Sequence, residues 1–327
     1  MYGGTGIMSE KMMYGCSLKG FRSQLEDSLI SLGNKYDDMV VVDAETGTAT
    51  NILGFRDAYP DRYVTCGIAE QAAISFAFGL ARSGLRPVVP LFSCFMTRRA
   101  YDQVYLQVGY PNANVKLIGC YSGMTTPNTG ATHQSIVDVA VMRAIPGMTV
   151  IETADPFEFG QAMEAIMEYD GPVFLRMIRG DIKKYDIQCV PEGHKFRIGK
   201  SSVLREGKDI SLIAGGLMVP RALEAAEMLA REGVSAEVVN CSAIKPFDTE
   251  TITASAKKTG RVVTCENSNI YGGMGSAVAE CLAEHCPVPM RFVGVEDRYG
   301  WSGDLEDLLS MYELTTEKVL RKAKELL

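Results

Sequence analysis

The 327-residue chain has only three histidines (positions 133, 194 and 285), one tryptophan and no C-x-x-C motif. Histidines so few and so far apart argue against a histidine-based metal site, and we expect this chain to provide no metal ligands. Acidic residues number 40 against 33 lysines and arginines, and the net charge of −7 argues against nucleic acid as the main partner. The longest apolar stretch, near residues 72–81, is far shorter than the about 20 residues that span a bilayer, so we expect no membrane segment.

We also expect no secretory signal. Glycine, glutamate, lysine and serine occur in the first 20 residues, where an apolar signal core would lie. Nine cysteines are an odd number, and most lie in or beside apolar segments, as small buried side chains do. We therefore expect free thiols and a cytoplasmic location.

Short apolar segments alternate with amphipathic segments along the chain, which is the pattern of α/β domains with parallel sheets. The predicted strands are 39–42, 87–92, 115–120, 148–153, 173–177, 210–214, 236–240, 261–265 and 290–294. The predicted helices are 22–32, 70–82, 99–108, 135–144, 156–168, 220–232, 248–258, 275–284 and 316–327. The alternation pauses in the charged region 183–200, where we place the domain boundary. The sequence predicts two doubly wound α/β domains, residues 20–188 and 189–327, after a flexible tail of residues 1–19.

Four predicted loops of the first domain contain polar and aromatic residues suited to a ligand. They are residues 43–51, 92–99, 121–133 and 176–181. Ligands of parallel α/β sheets bind beyond the carboxyl ends of the strands, and these loops all follow predicted strands. Their carboxylates, aromatic pair, histidine and arginines predict a small-molecule site at that edge.

Seven segments occur in a fixed order that carries a resemblance. They are G-I-A-E-Q (67–71), F-S-C-F-M-T-R-R-A-Y-D-Q (92–103), G-A-T-H-Q (130–134), A-I-P-G-M-T-V-I-E-T-A-D (144–155), F-L-R-M-I-R-G-D (174–181), V-N-C-S-A-I-K-P-F-D (239–248) and Y-G-G-M-G-S-A (271–277). Together they resemble the C-terminal half of a transketolase, and more specifically the C-terminal subunit of a split transketolase. The resemblance covers residue 20 to the end of the chain and implies a pyrimidine-binding domain followed by a transketolase C-terminal domain.

This resemblance implies thiamine diphosphate as the cofactor and transfer of a two-carbon ketol unit from a ketose, or its phosphate, to an aldose. Glu70 matches the carboxylate that hydrogen-bonds N1′ of the aminopyrimidine, which makes it the first expected catalytic residue. Phe92 and Phe95 match the aromatic positions that pack against the pyrimidine. Glu45, with Asp43, falls on the acidic loop near the cofactor and the subunit contact. For an isolated glutamate at a helix start, a favourable interaction with the helix dipole would be the alternative.

The same resemblance implies a set of substrate-binding residues. His133 matches the substrate-facing histidine of the family, and it is the second expected catalytic residue. Arg22, Arg176 and Arg99 match or lie near positions that bind a sugar phosphate, for which forked guanidinium donors are well suited. Ordinary transketolases have a histidine and an aspartate where this sequence has Tyr121 and Thr129, so we expect non-standard sugar specificity.

The sequence lacks the G-D-G motif with a distal asparagine that holds the cofactor diphosphate through a divalent cation in this family. By resemblance, that part lies on a separate N-terminal subunit, which would also bind Mg²⁺ or another divalent cation, and the active form is an α2β2 assembly. Two enzyme alternatives stay open: a deoxyxylulose-phosphate synthase-like chain and a 2-oxo-acid dehydrogenase β-type subunit. A third alternative is a non-catalytic assembly partner.

Overall fold

The computed structural model describes residues 20–179 and 188–327. The predicted tail, residues 1–19, lies outside the described residues, and so does part of the predicted boundary region. The division of the chain at residue 188 therefore stays a prediction. Within the described residues, no helix is long and apolar enough to cross a bilayer.

The described strands and helices alternate through most of the chain. The strands are β1 Met39–Asp43, β2 Tyr63–Thr65, β3 Arg86–Phe92, β4 Lys116–Cys120, β5 Thr149–Glu152, β6 Val173–Met177, β7 Ser202–Arg205, β8 Ile210–Ala214, β9 Ala236–Asn240, β10 Ala243–Lys245, β11 Val262–Asn269 and β12 Met290–Val295. The helices are α1 Phe21–Lys35, α2 Gly47–Thr50, α3 Leu53–Ala58, α4 Glu70–Arg82, α5 Tyr101–Gln103, α6 Asp138–Arg143, α7 Pro156–Glu168, α8 Val219–Arg231, α9 Thr249–Thr259, α10 Met274–His285, α11 Leu305–Met311 and α12 Thr316–Lys324.

The strands form two sheets, which confirms the predicted α/β class. The first sheet has the order β10-β5-β6-β4-β3-β1-β2, and its pairings are parallel except that of β10 with β5. The second has the order β12-β11-β8-β9-β7, parallel except for β7 against β9. Because β10 comes from the second half of the chain, that half completes the edge of the first sheet.

Local sequence explains why several elements form where they were predicted. All five residues of β1 are buried, as expected for a strand with a neighbour on each side in a covered parallel sheet. Helix α7 begins at Pro156, after Asp155, whose carboxylate accepts a hydrogen bond from the Glu158 amide. The edge strands β7 and β10 were not predicted, because each is short and pairs antiparallel with a distant segment.

The segment after β3 differs from its predicted form. The sequence predicts a helix over residues 99–108, whereas the chain is already helical from Ser93. It forms π-helical turns over Phe95–Arg99 and Val104–Gly109, on either side of α5. π-turns are rare and occur often at functional sites, since they change the direction of the side chains that follow. Here the early winding places Phe95 and Arg99 beside the start of α4.

Helix α4 has the predicted bounds but not the predicted burial. Since residues 72–81 are apolar on most sides, the sequence predicts a helix enclosed on most sides, yet its buried residues are limited to Glu70, Ala73, Ile74 and Ala77. Phe76 on the opposite face is 44% exposed in the single chain. Helix α4 is therefore more apolar than its burial within this single chain requires.

Candidate functional site

The predicted loops meet at one edge of the first sheet. Strands β4, β3, β1 and β2 are neighbours and run parallel, so the segments that follow them lie side by side. Glu70 begins α4 shortly after β2, and Phe92 ends β3. Tyr121 follows β4 directly, in a left-handed conformation with φ of 63°. The fold therefore brings residues from four distant parts of the sequence to one place.

Four rings form a continuous aromatic wall at this edge. Phe92 and Phe95 stack with their ring centroids 5.6 Å apart and an interplanar angle of 10°. Tyr121 lies against Phe92 at 4.6 Å. His133 meets the edge of both phenylalanines, at 6.2 Å from Phe92 and 5.1 Å from Phe95. The structure thus places the predicted histidine directly against the predicted aromatic pair.

Glu70 is a buried carboxylate next to this wall. Its side chain is 3% exposed, and Oε1 accepts a hydrogen bond of 2.8 Å from Nη1 of Arg99. The guanidinium of Arg99 also lies 4.6 Å from the ring centroid of Phe95. Since the Arg99 side chain is 52% exposed, it can move away from Glu70 at little cost in buried contacts. A buried acid with an exposed, movable partner is able to accept a different hydrogen-bond donor.

The loop after β1 is shaped by Asp43, not by Glu45. The buried Asp43 carboxylate accepts hydrogen bonds from Thr46 N at 3.0 Å and from the Tyr63 hydroxyl at 2.9 Å. Burial and the neighbouring Asp43 raise the pKa of Tyr63, so this hydroxyl stays protonated and donates. Glu45 is exposed and adopts a left-handed conformation with φ of 62°. It therefore presents its carboxylate away from the fold.

Two arginines lie close to Tyr121 or to the backbone segment that its hydroxyl contacts. The Tyr121 hydroxyl donates a hydrogen bond to the Ala49 carbonyl, and Arg22 donates one of 3.3 Å to the Thr48 carbonyl. Arg179 lies over the Tyr121 ring, with its guanidinium carbon 5.3 Å from the centroid. Arg22 was predicted as a site residue and Arg179 was not. Arg179 thus places a positive group against the aromatic wall at Tyr121.

His133 and Thr129 share an ordered loop beside Arg98. The Thr132 hydroxyl lies 2.9 Å from Nδ1 of His133, and Arg98 Nη2 donates a hydrogen bond of 2.6 Å to the Thr132 carbonyl. The exposed Thr129 donates its hydroxyl proton to the Thr126 carbonyl at 3.2 Å. Arg98 was also missed from the sequence, because only the folded loop shows that it reaches residue 132.

We expect His133 to be neutral at pH 7. Partial burial lowers its pKa, and the positive charges of Arg98 and Arg99 lower it further. Replacing Arg98 by methionine should therefore raise the His133 pKa towards its ordinary value of about 6.5. Histidine resonances followed by NMR during a pH titration would measure this, with the exposed His285 as an internal control. A His133 pKa that is the same in the wild-type protein and the Arg98→Met variant would contradict the expected effect of the Arg98 charge.

Arg176 lies in the interior, not in the site. Its side chain is fully buried: Nε donates to Asp138 at 3.0 Å, Nη1 pairs with Glu152, and Nη2 donates to the Asn267 carbonyl at 2.7 Å. Burial by itself would lower the arginine pKa, but Asp138 and Glu152 more than offset this and raise it. All three nitrogens are engaged by the fold, so we withdraw Arg176 from the predicted substrate-binding set. The sequence motif contains a second arginine, Arg179, which does reach the site.

Comparison with known proteins shows the family of this chain. The family model for the transketolase pyrimidine-binding domain matches residues 19–184, which is more than half of the chain. The model for the transketolase C-terminal domain matches residues 199–319. The chain belongs to the transketolase family. The predicted resemblance is confirmed, and this transketolase chain contains the pyrimidine-binding and C-terminal domains.

Curated transketolase relatives align with nearly the whole chain. A Clostridium sp. (strain MSTE9) protein named 6-deoxy-6-sulfo-D-fructose transketolase subunit SqwH is 43% identical over 304 residues, covering 93% of each chain. A putative transketolase C-terminal section from Methanocaldococcus jannaschii is 39% identical and covers 94% of this chain and 96% of the relative. A subunit of an apulose-4-phosphate transketolase from Phocaeicola vulgatus is 34% identical, covering 93% and 96%. The chain is a transketolase subunit, as predicted.

More distant relatives and solved structures agree with this membership. A 1-deoxy-D-xylulose-5-phosphate synthase from Desulfotalea psychrophila is 37% identical over 92% of this chain, which spans 47% of the synthase. A solved structure titled "Split gene transketolase, inactive beta4 tetramer" has a TM-score of 0.87 and 36% identity, covering 94% of this chain and 98% of that one. The similarity thus extends through both sheets.

Proposed function

We propose that the chain is the C-terminal subunit of a split, thiamine-diphosphate-dependent transketolase. It transfers a two-carbon ketol unit from a ketose with an anionic terminal group to an aldose. The observation that carries this proposal is the buried Glu70 carboxylate, which lies beside an aromatic wall ending in His133. An acid has no packing reason to lie buried at the start of an apolar helix.

The residues present fit the aminopyrimidine end of thiamine diphosphate. Glu70 provides a buried acceptor for a ring N–H, and its exposed partner Arg99 is able to yield that position. Phe92 and Phe95 provide flat apolar surface, and Glu45 lies on the adjoining acidic loop. When bound, the cofactor supplies a carbon nucleophile and an electron sink for the ketol carbanion. His133, neutral at pH 7, is available to exchange a proton with a substrate hydroxyl.

The diphosphate and its divalent cation, which we take to be Mg²⁺, require a second polypeptide. Within residues 20–179 and 188–327, no group of three or more histidine, cysteine, aspartate or glutamate side chains is arranged to hold a metal ion. We propose that an N-terminal transketolase subunit carries that motif and joins this chain in an α2β2 assembly in the cytoplasm. The exposed Phe76 and Leu106, which project from neighbouring elements, suit such a contact. The similar split transketolase titled an inactive beta4 tetramer supports the need for a partner.

We propose that the substrate carries a phosphate or a sulfonate at the end away from the reacting carbonyl. Arg22 and Arg179 lie around Tyr121, where forked donors suit a tetrahedral anion. Arg99 lies nearer to the reacting end, beside Glu70. Tyr121 and Thr129 provide a phenol and a hydroxyl in a pocket that has an imidazole and a carboxylate in ordinary transketolases. Relatives named for 6-deoxy-6-sulfo-D-fructose and apulose-4-phosphate support a non-standard donor.

A cofactor titration tests this function directly. Calorimetry with thiamine diphosphate and Mg²⁺ should show weak binding to the isolated chain and at least about tenfold tighter binding to its mixture with the N-terminal subunit, since the ligands are divided between them. The reconstituted pair should then transfer a ketol unit from 6-deoxy-6-sulfo-D-fructose faster than from xylulose 5-phosphate, with ribose 5-phosphate as acceptor in both assays. Tight binding by the isolated chain, or full turnover on xylulose 5-phosphate, would contradict the corresponding part of the proposal.

A further inference from the structure

The loop that presents His133 is attached to the second half of the chain. We call residues 127–134 the histidine loop and residues 297–303 the aromatic loop, because the latter contains Tyr299 and Trp301. These side chains are 89% and 66% exposed, so they do not anchor the aromatic loop themselves. The loop is instead held by its backbone: the buried Tyr312 donates its hydroxyl proton to the Tyr299 carbonyl at 2.5 Å. The aromatic loop is therefore a fixed part of the second domain.

The two loops are joined by direct hydrogen bonds. Nε2 of Gln134 donates to the Trp301 carbonyl at 2.9 Å, and the Gly303 amide donates to the Pro127 carbonyl at 3.2 Å. Gln134 is only 3% exposed, although it lies in a loop. The aromatic loop thus contacts both ends of the histidine loop.

Small residues make this close approach possible. A Cβ atom on Gly300 would lie 1.4 Å from Oε1 of Gln134, and one on Gly130 would lie 2.4 Å from Oγ of Ser302. Gly130 also has φ of +71°, a conformation that favours glycine. A side chain at position 300 would displace the Gln134 amide, and one at position 130 would displace the Ser302 hydroxyl.

We propose that Gln134 is a positioning residue through which the second domain holds His133 against Phe95 at the substrate site. Gln134 follows His133 directly in the chain, so a shift of its amide moves the imidazole. The contacts continue from Tyr312 through the aromatic loop to Gln134 and His133, which connects the second domain's interior with the aromatic wall. This inference rests on the proposed function, in which His133 faces the substrate.

The chain's single tryptophan makes the contact measurable without activity. Gln134→Met keeps the side-chain length but removes the donor to the Trp301 carbonyl. We expect the fluorescence anisotropy of Trp301 to fall in this variant, because the aromatic loop is less constrained while the indole is already exposed in the wild-type chain. In the reconstituted enzyme, we expect kcat to fall about 10- to 100-fold with a smaller change in KM, since a displacement of about 1 Å is costly. Gly300→Ala, which disturbs the same contact from the other side, should show both effects.

Gln161→Met is the matched control. Gln161 donates to the His194 carbonyl at 3.0 Å and accepts from the Phe196 amide at 2.7 Å, so it joins distant segments without touching the histidine loop. This variant should change neither the Trp301 fluorescence anisotropy nor kcat. If Gln134→Met changes neither the anisotropy nor kcat while the wild-type pair is active, the positioning role of Gln134 is overturned and the proposed function stands. A wild-type pair without ketol transfer would contradict the proposed function and with it the catalytic role of the loop contact.

Discussion

Glu70→Gln should lower ketol transfer by the reconstituted enzyme by about 10²- to 10⁴-fold, the range typical for loss of a proton-transfer group. The substitution keeps the size of the side chain but removes its negative charge and its ion pair with Arg99. An amide does not provide the charged acceptor that the aminopyrimidine ring requires for its tautomeric change. The measurement is kcat and KM of the variant pair, together with a cofactor titration by calorimetry.

A measurement of the free energy of unfolding distinguishes a loss of catalysis in Glu70→Gln from misfolding. Arg99 is half-exposed, so loss of its pair with Glu70 should change the free energy of unfolding little. Glu168→Gln is a matched control, since Glu168 is exposed and pairs with Lys35 far from the aromatic wall. Full activity of the Glu70→Gln pair would favour the alternative of a non-catalytic assembly partner.

Of the substitutions proposed for this chain, Arg176→Met should have the largest effect on stability, with a loss of about 3–5 kcal/mol in the free energy of unfolding. The substitution leaves Asp138 and Glu152 buried without their guanidinium partner. It also removes the hydrogen bond to the Asn267 carbonyl, which ties the two sheets together. Chemical denaturation of the isolated chain measures the loss. Arg291→Met, at an exposed pair with Glu325, should leave the unfolding midpoint almost unchanged.

The stability loss in Arg176→Met should depend on pH. Burial raises the pKa of Glu152, and Arg176 counteracts this in the wild-type chain. Without Arg176 the folded-state pKa rises further above the unfolded value, so the protonated form stabilises the fold at low pH. That contribution is lost as the pH rises through the folded-state pKa. The deficit should therefore be smaller near pH 5 than near pH 8. If Arg176→Met had wild-type stability and a raised KM, this result would support the predicted role of Arg176 in substrate binding.

Much of the first domain's site was accessible from the sequence. Glu70, Phe92, Phe95 and His133 lie in segments whose order carries the resemblance, and the structure brings these side chains into mutual contact or next to one another. Their spacing from predicted strands was enough to place them at one edge of the sheet.

Other features could not be predicted because they depend on contacts between distant segments. The motif at residues 174–181 contains Arg176 and Arg179, and nothing in their spacing shows which one faces inward. Arg176 lies in β6, opposite acids from two other segments, whereas Arg179 follows the strand and reaches Tyr121. The apolar helix α4 is a similar case, since its composition does not distinguish burial within one chain from burial in an assembly.

The sequence by itself determined the α/β class and the transketolase family, and it predicted the segments that contain the candidate site. This was possible because strand and helix periodicity are local properties, and the motifs are short and ordered. Only the tertiary structure decided that Arg176 belongs to the interior, and that Gln134 connects His133 to the second domain. The physical reason is that burial and hydrogen-bond partners are set by packing between residues as distant as Gln134 and Trp301, which no local pattern encodes.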